Sequence, residues 1–309
     1  MRNHGGTAVA LVGATASGKS ALAHQLALES GGALEILSVD SMTVYRGMDI
    51  GTAKATAEQR AEVNYHLIDL IEPHQEFTVA QFQREARDAE SLVWALGGAV
   101  LYVGGTGLYG RAVIDNLDIP GQYAQVRAQL EARGAEAAEL HEELRRLDPV
   151  AATRMEPTNR RRVVRALEVT LGSGRPFSSF GAGLRHYGAP RVVQVGLNCE
   201  FRVLDVRIAR RFEAWMEQGL LEEVALLRDR GMSRTARQAV GYRELLRHIE
   251  EGVDLDRCVE DAIIQSRRLA RRQRSWFQRD PRVEWFEDPS DAAKRIGEVL
   301  SSPDGFVRN

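Results

Sequence analysis

Cysteine and lysine are both scarce in this sequence of 309 residues. Cys199 and Cys258 are too few and too far apart for a disulfide framework or a Cys/His zinc module, which is typical of a protein kept in reducing surroundings. The lysines are Lys19, Lys54 and Lys294, against a large excess of arginine. A retained lysine therefore indicates a position where a compact ammonium group matters.

Long hydrophobic runs are also absent. No segment approaches the roughly 18 uninterrupted apolar residues that a membrane span requires, and the segment before Gly13 lacks a small-residue cleavage pattern. We expect neither membrane insertion nor secretion, and we expect a cytoplasmic location. A content of 44% hydrophobic and 27% charged residues is typical of a globular chain and excludes disordered and low-complexity classes.

Net charge is nearly absent as well, but the charge is unevenly distributed. The value of −2 for the whole chain argues against a nucleic-acid binder. Residues 157–165, however, contain four arginines and no acid, and residues 262–279 contain six arginines and no acid. Because a polyanion responds to charge within a Debye length of about 8 to 10 Å, these local clusters matter more than the net value.

Strand-like and helix-like segments alternate in the first third of the chain. Residues 8–12, 36–39 and 99–103 are short apolar runs that predict strands, and residues 21–28 and 79–96 have helical spacing. This alternation predicts an α/β fold with a parallel sheet flanked by helices. Ligands of such sheets bind beyond the carboxyl ends of the strands.

Composition predicts three segments. Residues 1–117 form the first part of the α/β core, residues 118–190 form a mainly helical insertion, and residues 191–309 return to the core. Two long helices are predicted in the last segment, one ending at Gly231 and the other carrying Val259 to Phe277 on one face. No repeat is visible, so a solenoid is excluded.

The strongest motif lies between the first predicted strand and the first predicted helix. It matches G-x-x-x-x-G-K-[ST] through Gly13, Ala14, Thr15, Ala16, Ser17, Gly18, Lys19 and Ser20. In this motif backbone amides wrap a diphosphate, the lysine neutralises phosphate oxygens, and the serine hydroxyl binds Mg²⁺. The motif therefore predicts a P-loop NTPase-like sheet with a phosphate ligand.

The reaction is not identified by this loop alone. No guanine-reading Asn-Lys-x-Asp is present, which disfavours a GTPase switch, and the strand at residues 100–103 does not end in the aspartate that ATPases use for Mg²⁺. Asp40 is the one carboxylate at a strand end near the loop, where it can hold magnesium through water or accept a proton from a nucleophile.

Several further segments resemble the tRNA dimethylallyltransferases, also called tRNA isopentenyltransferases, in order from about residue 8 to residue 280. Beside the P-loop they are SVDS at 38–41, YRGMDIGTAK at 45–54, HLID at 66–69, VGGTGLY at 103–109, VGYRE at 240–244 and RRQRSWF at 271–277. The chain has Tyr65 and Asn64 where the family often has histidine and proline, and we expect both changes to lie outside the P-loop. The bacterial form is favoured because no C-terminal zinc-finger extension is present.

The resemblance implies transfer of a dimethylallyl group from dimethylallyl diphosphate to N6 of adenosine 37 beside the tRNA anticodon. The P-loop would then hold the diphosphate leaving group with Mg²⁺ at Ser20. Asp40 would accept the N6 proton, and Thr106 and Arg207 match family positions for further substrate and diphosphate contacts. Carbon rather than phosphorus is attacked, so the missing ATPase aspartate is not needed.

The resemblance also implies contacts with the tRNA anticodon stem-loop. The corresponding residues are Asp40, Ser41, Met42 and Thr43; Thr106 and Arg127; Arg161, Arg162, Val163, Val164 and Arg165; Gln238, Ala239, Val240, Gly241, Tyr242 and Arg243; and Arg271, Arg272, Gln273, Arg274, Ser275, Trp276, Phe277 and Gln278. Helical spacing puts Arg267, Arg271 and Arg274 on one face, which we expect to be free for phosphate. The oligomeric state stays open, and nothing in the sequence demands more than a monomer.

Two other classes stay open at this point. One is a small-molecule kinase with ATP in the P-loop and Asp40 as the base for a substrate hydroxyl. The other is a non-catalytic RNA-binding module, which leaves Lys19 and Asp40 without a purpose. The helical insertion and the long basic helix favour the transferase.

Overall fold

A computed structural model describes residues 6–181, 183, 184 and 186–302 of the chain. These residues divide into two units, one made of the segments up to Asp115 and from Ala189 onward, and the other of Asn116–Gly188. The sequence places the corresponding boundaries at 117/118 and 190/191.

The first unit is built on a parallel sheet. Its strands are Ala8–Gly13 (β1), Leu34–Val39 (β2), Tyr65–His66 (β3), Ala99–Gly104 (β4), Val193–Leu197 (β5) and Val283–Phe286 (β6). Their order is β3-β2-β4-β1-β5-β6, and every pairing is parallel. The predicted P-loop NTPase-like α/β fold is therefore confirmed, although the short β3 and the edge strand β6 were not predicted.

Helices complete both units. In chain order they are Lys19–Glu29 (α1), Ala57–Glu62 (α2), Val79–Ala95 (α3), Gly107–Ile114 (α4), Ala124–Ala132 (α5), Ala137–Leu147 (α6), Pro149–Thr153 (α7), Arg160–Ser173 (α8), Phe201–Glu217 (α9), Leu220–Arg230 (α10), Tyr242–Glu251 (α11), Leu255–Phe277 (α12) and Pro289–Ser301 (α13). Helices α5 to α8 belong to the second unit, and the other helices belong to the first unit.

Strand β1 is covered on both faces. Val12 on one face joins the core cluster that includes Phe82 and Phe212, while Leu11 on the other face joins the cluster that includes Ile296. A strand buried on both sides reads as a continuous apolar run, which is why residues 8–12 predicted it.

The predicted single helix up to Gly231 is wrong. The chain forms α9 and α10 instead, separated at Gln218 and at Gly219, which has φ of 94°. Glycine adopts this left-handed conformation without the steric penalty of a side chain, so the chain turns there and α10 packs back on α9. Helix α11 was also not predicted.

Helix α12 is amphipathic as expected, but its buried face is formed partly by other residues than those predicted. Its buried residues include Ala262, Ser266, Ala270 and Phe277, whereas Val259 is only partly buried. The first turn is capped by the Asp254 carboxylate, which accepts from the Arg257 N–H.

The second unit has its own core. Leu130 of α5, Leu140 and Leu144 of α6, and Val163 and Leu167 of α8 are buried together. Helix α8 ends at Ser173, inside the Gly-rich segment 172–188, and Ala182 and Arg185 of this segment lie outside the described residues. No helix in the described ranges has the length and apolar content needed to cross a membrane.

Candidate active site

The P-loop joins the end of β1 to the start of α1. Gly18 has φ of 99° and Ala16 has φ of 64°, so the loop winds through left-handed conformations that place its amides on one concave side. At Gly13 a Cβ would lie 2.8 Å from the Leu197 carbonyl oxygen. Helix α1 has neither a side-chain cap nor an acid in its first turn, so its amino end presents N–H groups to an anion.

Three cationic side chains surround this loop. Lys19 Nζ donates to the Ala14 carbonyl at 3.1 Å, and the Arg207 guanidinium lies 3.3 Å from the Ala16 carbonyl. Arg211 donates to Thr15 Oγ1 at 3.0 Å. Arg211 was missed by the sequence analysis, although it lies one helical turn after Arg207 on α9 and the i, i+4 spacing could have found it.

Burial is the largest influence on the pKa values of Lys19 and Arg211 in this cluster. The pKa of Lys19 is lowered to about 8, mainly by burial and in smaller part by the charge of Arg211, while Asp40 opposes the shift. Burial also lowers the pKa of Arg211 to about 10. In the described part of the chain, Ser17 Oγ and Arg211 Nε are buried without a hydrogen-bond partner. Polar atoms left in this state favour an anionic ligand that satisfies them.

Asp40 directly follows β2 at the carboxyl edge of the sheet. Its Oδ1 accepts a hydrogen bond from the Met42 N–H at 2.8 Å. Burial raises the pKa of Asp40, and the Met42 N–H and the charge of Lys19 partly oppose that rise. A carboxylate with a raised pKa is a stronger base than an exposed one.

Thr106 follows the neighbouring strand β4 and is hydrogen-bonded to the turn after Asp40. Its Oγ1 accepts from the Ser41 N–H at 3.2 Å. The backbone here runs close to α12, because a Cβ on Gly105 would lie 2.5 Å from the Gln273 side chain. Gln273 also accepts from the Thr15 N–H at 2.7 Å, so α12 contacts the P-loop directly.

Lys19 and Asp40 line the same cavity, which has a volume of about 630 Å³. Thr43, Arg207 and Arg211 line it as well. A cavity of this size accommodates a small-molecule ligand together with part of a larger one.

Tyr65 lies outside the P-loop, as expected, and it also lines this cavity. Its hydroxyl lies 3.0 Å from His24 Nδ1, and His24 Nε2 lies 3.1 Å from the Glu62 carboxylate. Strand β3 pairs with β2 in register with Ile36, and this pairing brings Tyr65 to the cavity wall.

A divalent ion would find few protein ligands in this cavity. Ser20 lines it, as the P-loop motif predicts for a metal-binding hydroxyl. In the described ranges no group of three or more His, Cys, Asp or Glu side chains is arranged to hold a metal. Ser20 therefore fits an ion whose other ligands are ligand oxygens and water, as is common for Mg²⁺.

The segment 238–243 contributes to the cavity rather than only to an outer surface. Ala239 and Val240 line the cavity, and Gln238 is exposed. Tyr242 is fully buried, which corrects the expectation that it contacts RNA directly. Its ring packs in the core beside α10, and Arg243 pairs with the adjacent Glu244.

Segment 271–278 of α12 has two different faces. Arg271, Arg272, Ser275 and Gln278 are exposed, whereas Phe277 is buried. Trp276 packs so closely on Gly107 that a Cβ there would lie 2.2 Å from the indole. Gln273, Trp276 and Phe277 therefore hold α12 against the sheet, and Gln273 also lines the cavity.

The predicted free face of α12 is not free. Arg271 forms an ion pair with Asp205 of α9 at 2.8 Å, and Arg267 lies 3.9 Å from the same carboxylate. Arg271 and Arg274 both lie over the Phe201 ring, at 4.9 and 4.5 Å. The face exists as the spacing predicts, but α9 packs along it and neutralises part of its charge.

In the second unit the predicted RNA residues also separate into two groups. Arg161 and Arg162 are exposed on α8, while Val163 and Val164 are buried in the core of this unit and present no surface. Arg127 and Arg165 both bind Glu168, at 3.4 and 2.5 Å. We therefore expect Arg161 and Arg162 to be the cations of this unit most available to an outside anion.

Comparison with known proteins identifies the family. The family model described as IPP transferase matches residues 43–280, more than half of the chain. A tRNA dimethylallyltransferase of Nocardioides sp. is 42% identical over 303 residues, covering 96% of this chain and 97% of that relative. One from Thermobifida fusca is 46% identical over 302 residues, covering 96% and 93%.

A solved structure agrees with these relatives. The full-length tRNA isopentenylpyrophosphate transferase from Bacillus halodurans is 37% identical, with a TM-score of 0.69 and coverage of 96% of this chain and 95% of that chain. The resemblance found in the sequence motifs is thereby confirmed. The chain belongs to the IPP transferase family and is a transferase.

Proposed function

We propose that this protein transfers a dimethylallyl group from dimethylallyl diphosphate to N6 of adenosine 37 in tRNA, with release of diphosphate. The observation that carries the proposal is that Lys19 of the P-loop and Asp40 line one cavity. One end of that cavity suits a leaving diphosphate and the other a nucleophile that loses a proton. Membership of the IPP transferase family supports this reading over the kinase and the RNA-binding module.

The diphosphate is held by the P-loop amides and by the three cations around them. Lys19, Arg207 and Arg211 hydrogen-bond to carbonyl and hydroxyl oxygens of the loop, and a diphosphate is a stronger acceptor than these. As the bond between C1 and the diphosphate oxygen breaks, negative charge grows on that oxygen. Fixed cations stabilise this charge without rearranging.

Asp40 acts on the nucleophile. The exocyclic amine of adenine is a weak nucleophile, and its attack on C1 puts positive charge on N6. A carboxylate near N6 stabilises this charge and accepts the proton as the N6–C1 bond forms. Thr106 holds the turn that carries Asp40 through its hydrogen bond with the Ser41 N–H, and we propose that its hydroxyl also contacts substrate.

A divalent metal ion accompanies diphosphate substrates in general, and we propose that it is Mg²⁺ here. The Ser20 hydroxyl is the protein group on the cavity wall that fits it. When bound, Mg²⁺ supplies positive charge to the diphosphate oxygens.

The tRNA partner requires basic surface around the cavity mouth and a target base that is turned out of its loop. Asp40, Ser41, Met42, Thr43, Gln238, Ala239 and Val240 lie at the cavity or next to it. Each unit by itself also carries exposed arginines that can bind phosphate groups, namely Arg272 in the first unit and Arg161 and Arg162 in the second. We further propose that the protein works as a monomer in the cytoplasm.

The direct test supplies the purified protein with unmodified tRNA, Mg²⁺ and either dimethylallyl diphosphate or ATP. We expect mass spectrometry of the digested tRNA to show one dimethylallyl group on adenosine 37 with the prenyl donor and no mass gain with ATP. A phosphorylated product that requires ATP would support the kinase instead. Binding of tRNA without a mass gain from either donor would support the RNA-binding module.

A further inference from the structure

One carboxylate joins two segments that are distant in the sequence. Glu223, in the first turn of α10, accepts hydrogen bonds from the N–H groups of Asp49 at 3.0 Å and Ile50 at 2.8 Å on one oxygen. Its other oxygen accepts from the Gly51 N–H at 3.4 Å. Three consecutive amides that point at one anion form a backbone nest. Here the nest is filled by a side chain of the same chain.

The same carboxylate accepts a hydrogen bond from the Tyr242 hydroxyl. Burial, together with the charge of Glu223, raises the pKa of Tyr242 well above its usual range, so the phenol keeps its proton and remains a donor. The Tyr242 ring also packs directly against the nest, because a Cβ on Gly51 would lie 2.5 Å from that ring. Residues 49–51 are thus held by charge and by packing at once.

Both of the segments that Glu223 joins form walls of the cavity that contains Asp40. Gly51 and Thr52 line it on one side, and Ala239 and Val240 line it as well. Glu223 and Tyr242 are not among the described residues that line the cavity, so they act behind the walls. Lys19 of α1 and Arg211 of α9, which lie at the P-loop, hydrogen-bond to P-loop oxygens and not to Glu223.

We infer that Glu223 is a positioning residue that sets the separation of segments 49–52 and 239–242, and through them the width of the cavity that receives the target nucleotide. The inference rests on the proposed function, because it assigns this part of the cavity to the nucleotide. Without the carboxylate, the three amides and the Tyr242 phenol lose their acceptor, and the phenol, which is buried, does not stay unpaired. The two walls then separate or rearrange, while the P-loop keeps its own contacts.

The test is Glu223→Gln, which keeps the shape of the side chain but replaces one acceptor oxygen by a donor. We expect the KM for tRNA to rise about tenfold, while the KM for dimethylallyl diphosphate stays within about twofold of the wild-type value. Glu222→Gln is the matched control, since it removes the same charge from the same helical turn at an exposed position. We expect this control to leave both KM values unchanged.

A second readout does not depend on activity. Amide hydrogen exchange at Asp49, Ile50 and Gly51 should be faster in Glu223→Gln and unchanged in Glu222→Gln. Tyr242→Phe removes the hydroxyl and keeps the ring on Gly51, so we expect about a threefold rise in the KM for tRNA. This variant carries the test if Glu223→Gln does not fold.

The inference is overturned if Glu223→Gln folds and its KM for tRNA stays within about twofold of wild type, or if both KM values rise equally. An unchanged KM for Tyr242→Phe overturns it in the same way if that variant is the one available. Failure of the proposed function looks different, because the wild-type protein would then not modify tRNA at all. In that case exchange at residues 49–51 still decides whether Glu223 orders the nest.

Discussion

Cations in two parts of the first unit have opposite electrostatic surroundings. Around the P-loop, Lys19 and Arg211 hydrogen-bond to a carbonyl and a hydroxyl oxygen, and burial lowers the pKa of both. On α12, Arg271 is bound to the Asp205 carboxylate, and this hydrogen bond raises its pKa. Both groups look basic in the sequence. Among the described residues, however, Lys19 and Arg211 have no bound carboxylate that an incoming anion would have to displace, whereas Arg271 has one.

The number of positive residues in a segment therefore does not measure how strongly that segment binds an anion. A cation that is buried without a directly hydrogen-bonded carboxylate destabilises the empty site, and an arriving diphosphate removes that penalty. A cation that already pairs with aspartate at the surface gains less from a phosphate, because it must first exchange its partner. We therefore expect the P-loop to dominate donor binding and α12 to add a modest share to RNA binding.

The largest effect should come from the carboxylate that shares the cavity with these P-loop cations. Asp40→Asn keeps the shape and the acceptor for the Met42 N–H but removes the base. We expect kcat for dimethylallyl transfer to fall by about 10²- to 10⁴-fold, with little change in binding of dimethylallyl diphosphate. Single-turnover kinetics with labelled donor measure both, and near wild-type transfer by Asp40→Asn would remove Asp40 from the mechanism.

Arg211→Met tests the P-loop side of the comparison. Methionine keeps an unbranched stem beside Trp215, over which the guanidinium lies at 4.6 Å, and removes the charge. We expect the affinity for dimethylallyl diphosphate to fall about 10- to 100-fold, with tRNA affinity unchanged. Arg210→Met is the control, because Arg210 is exposed on the same helix. Equal losses for the two variants in calorimetric titration would show that Arg211 has no special role.

The pH dependence of kcat/KM for the donor should show two limbs, one from the titration of Asp40 and one from that of Lys19. Asp40 must be deprotonated, so activity is lost as the pH falls through its pKa, which lies above the usual range for aspartate. Lys19 must be protonated to bind diphosphate, so activity is lost as the pH rises through about 8. Each limb should change activity about tenfold per pH unit.

Diphosphate binding itself raises the pKa of Lys19, so the alkaline limb of kcat should lie at higher pH than that of kcat/KM. Lys19→Arg should move the alkaline limb of kcat/KM upward in whatever activity remains. A kcat/KM profile that stays level through pH 8 and beyond would contradict the assignment of that limb to Lys19.

The smallest effect is expected on α12. Replacing Arg271 and Arg274 together by methionine should weaken tRNA binding by only about 3- to 10-fold and flatten its salt dependence. Asp205→Asn should do the opposite, because it frees Arg271 from its ion pair. Filter-binding at several salt concentrations measures both variants. An unchanged salt slope in the double variant would show that this face does not contact RNA.

Much of the fold follows from local sequence signals. Local patterns predict strand β1 from its apolar run, the P-loop from its motif, and Asp40 from its position directly after a strand. Because the strands are parallel, their carboxyl ends, with the P-loop and Asp40, lie at one edge of the sheet. The break at Gly219 was missed because the apolar spacing of α9 continues past it into α10. A single glycine inside such a pattern does not distinguish a tolerated residue from a turn.

The site residues that were missed or misassigned depend on tertiary packing. Glu223 gains its role from amides that lie far away in the sequence, and no local pattern signals them. Tyr242 stands in a segment that reads as an RNA contact, but its ring is the support on which Gly51 rests. The ion pair between Asp205 and Arg271 likewise forms only when α9 packs on α12, so the sequence does not show that Arg271 has a partner.

The most direct test of the central claim is a crystal structure of the protein with diphosphate, Mg²⁺ and an unmodified anticodon stem-loop. We expect diphosphate to lie on the amides of residues 13–20, in contact with Lys19 and Arg211. We also expect an everted adenine in the same cavity, with N6 about 3 Å from the Asp40 carboxylate. Diphosphate bound elsewhere, or a base that leaves Asp40 facing solvent, would contradict the claim.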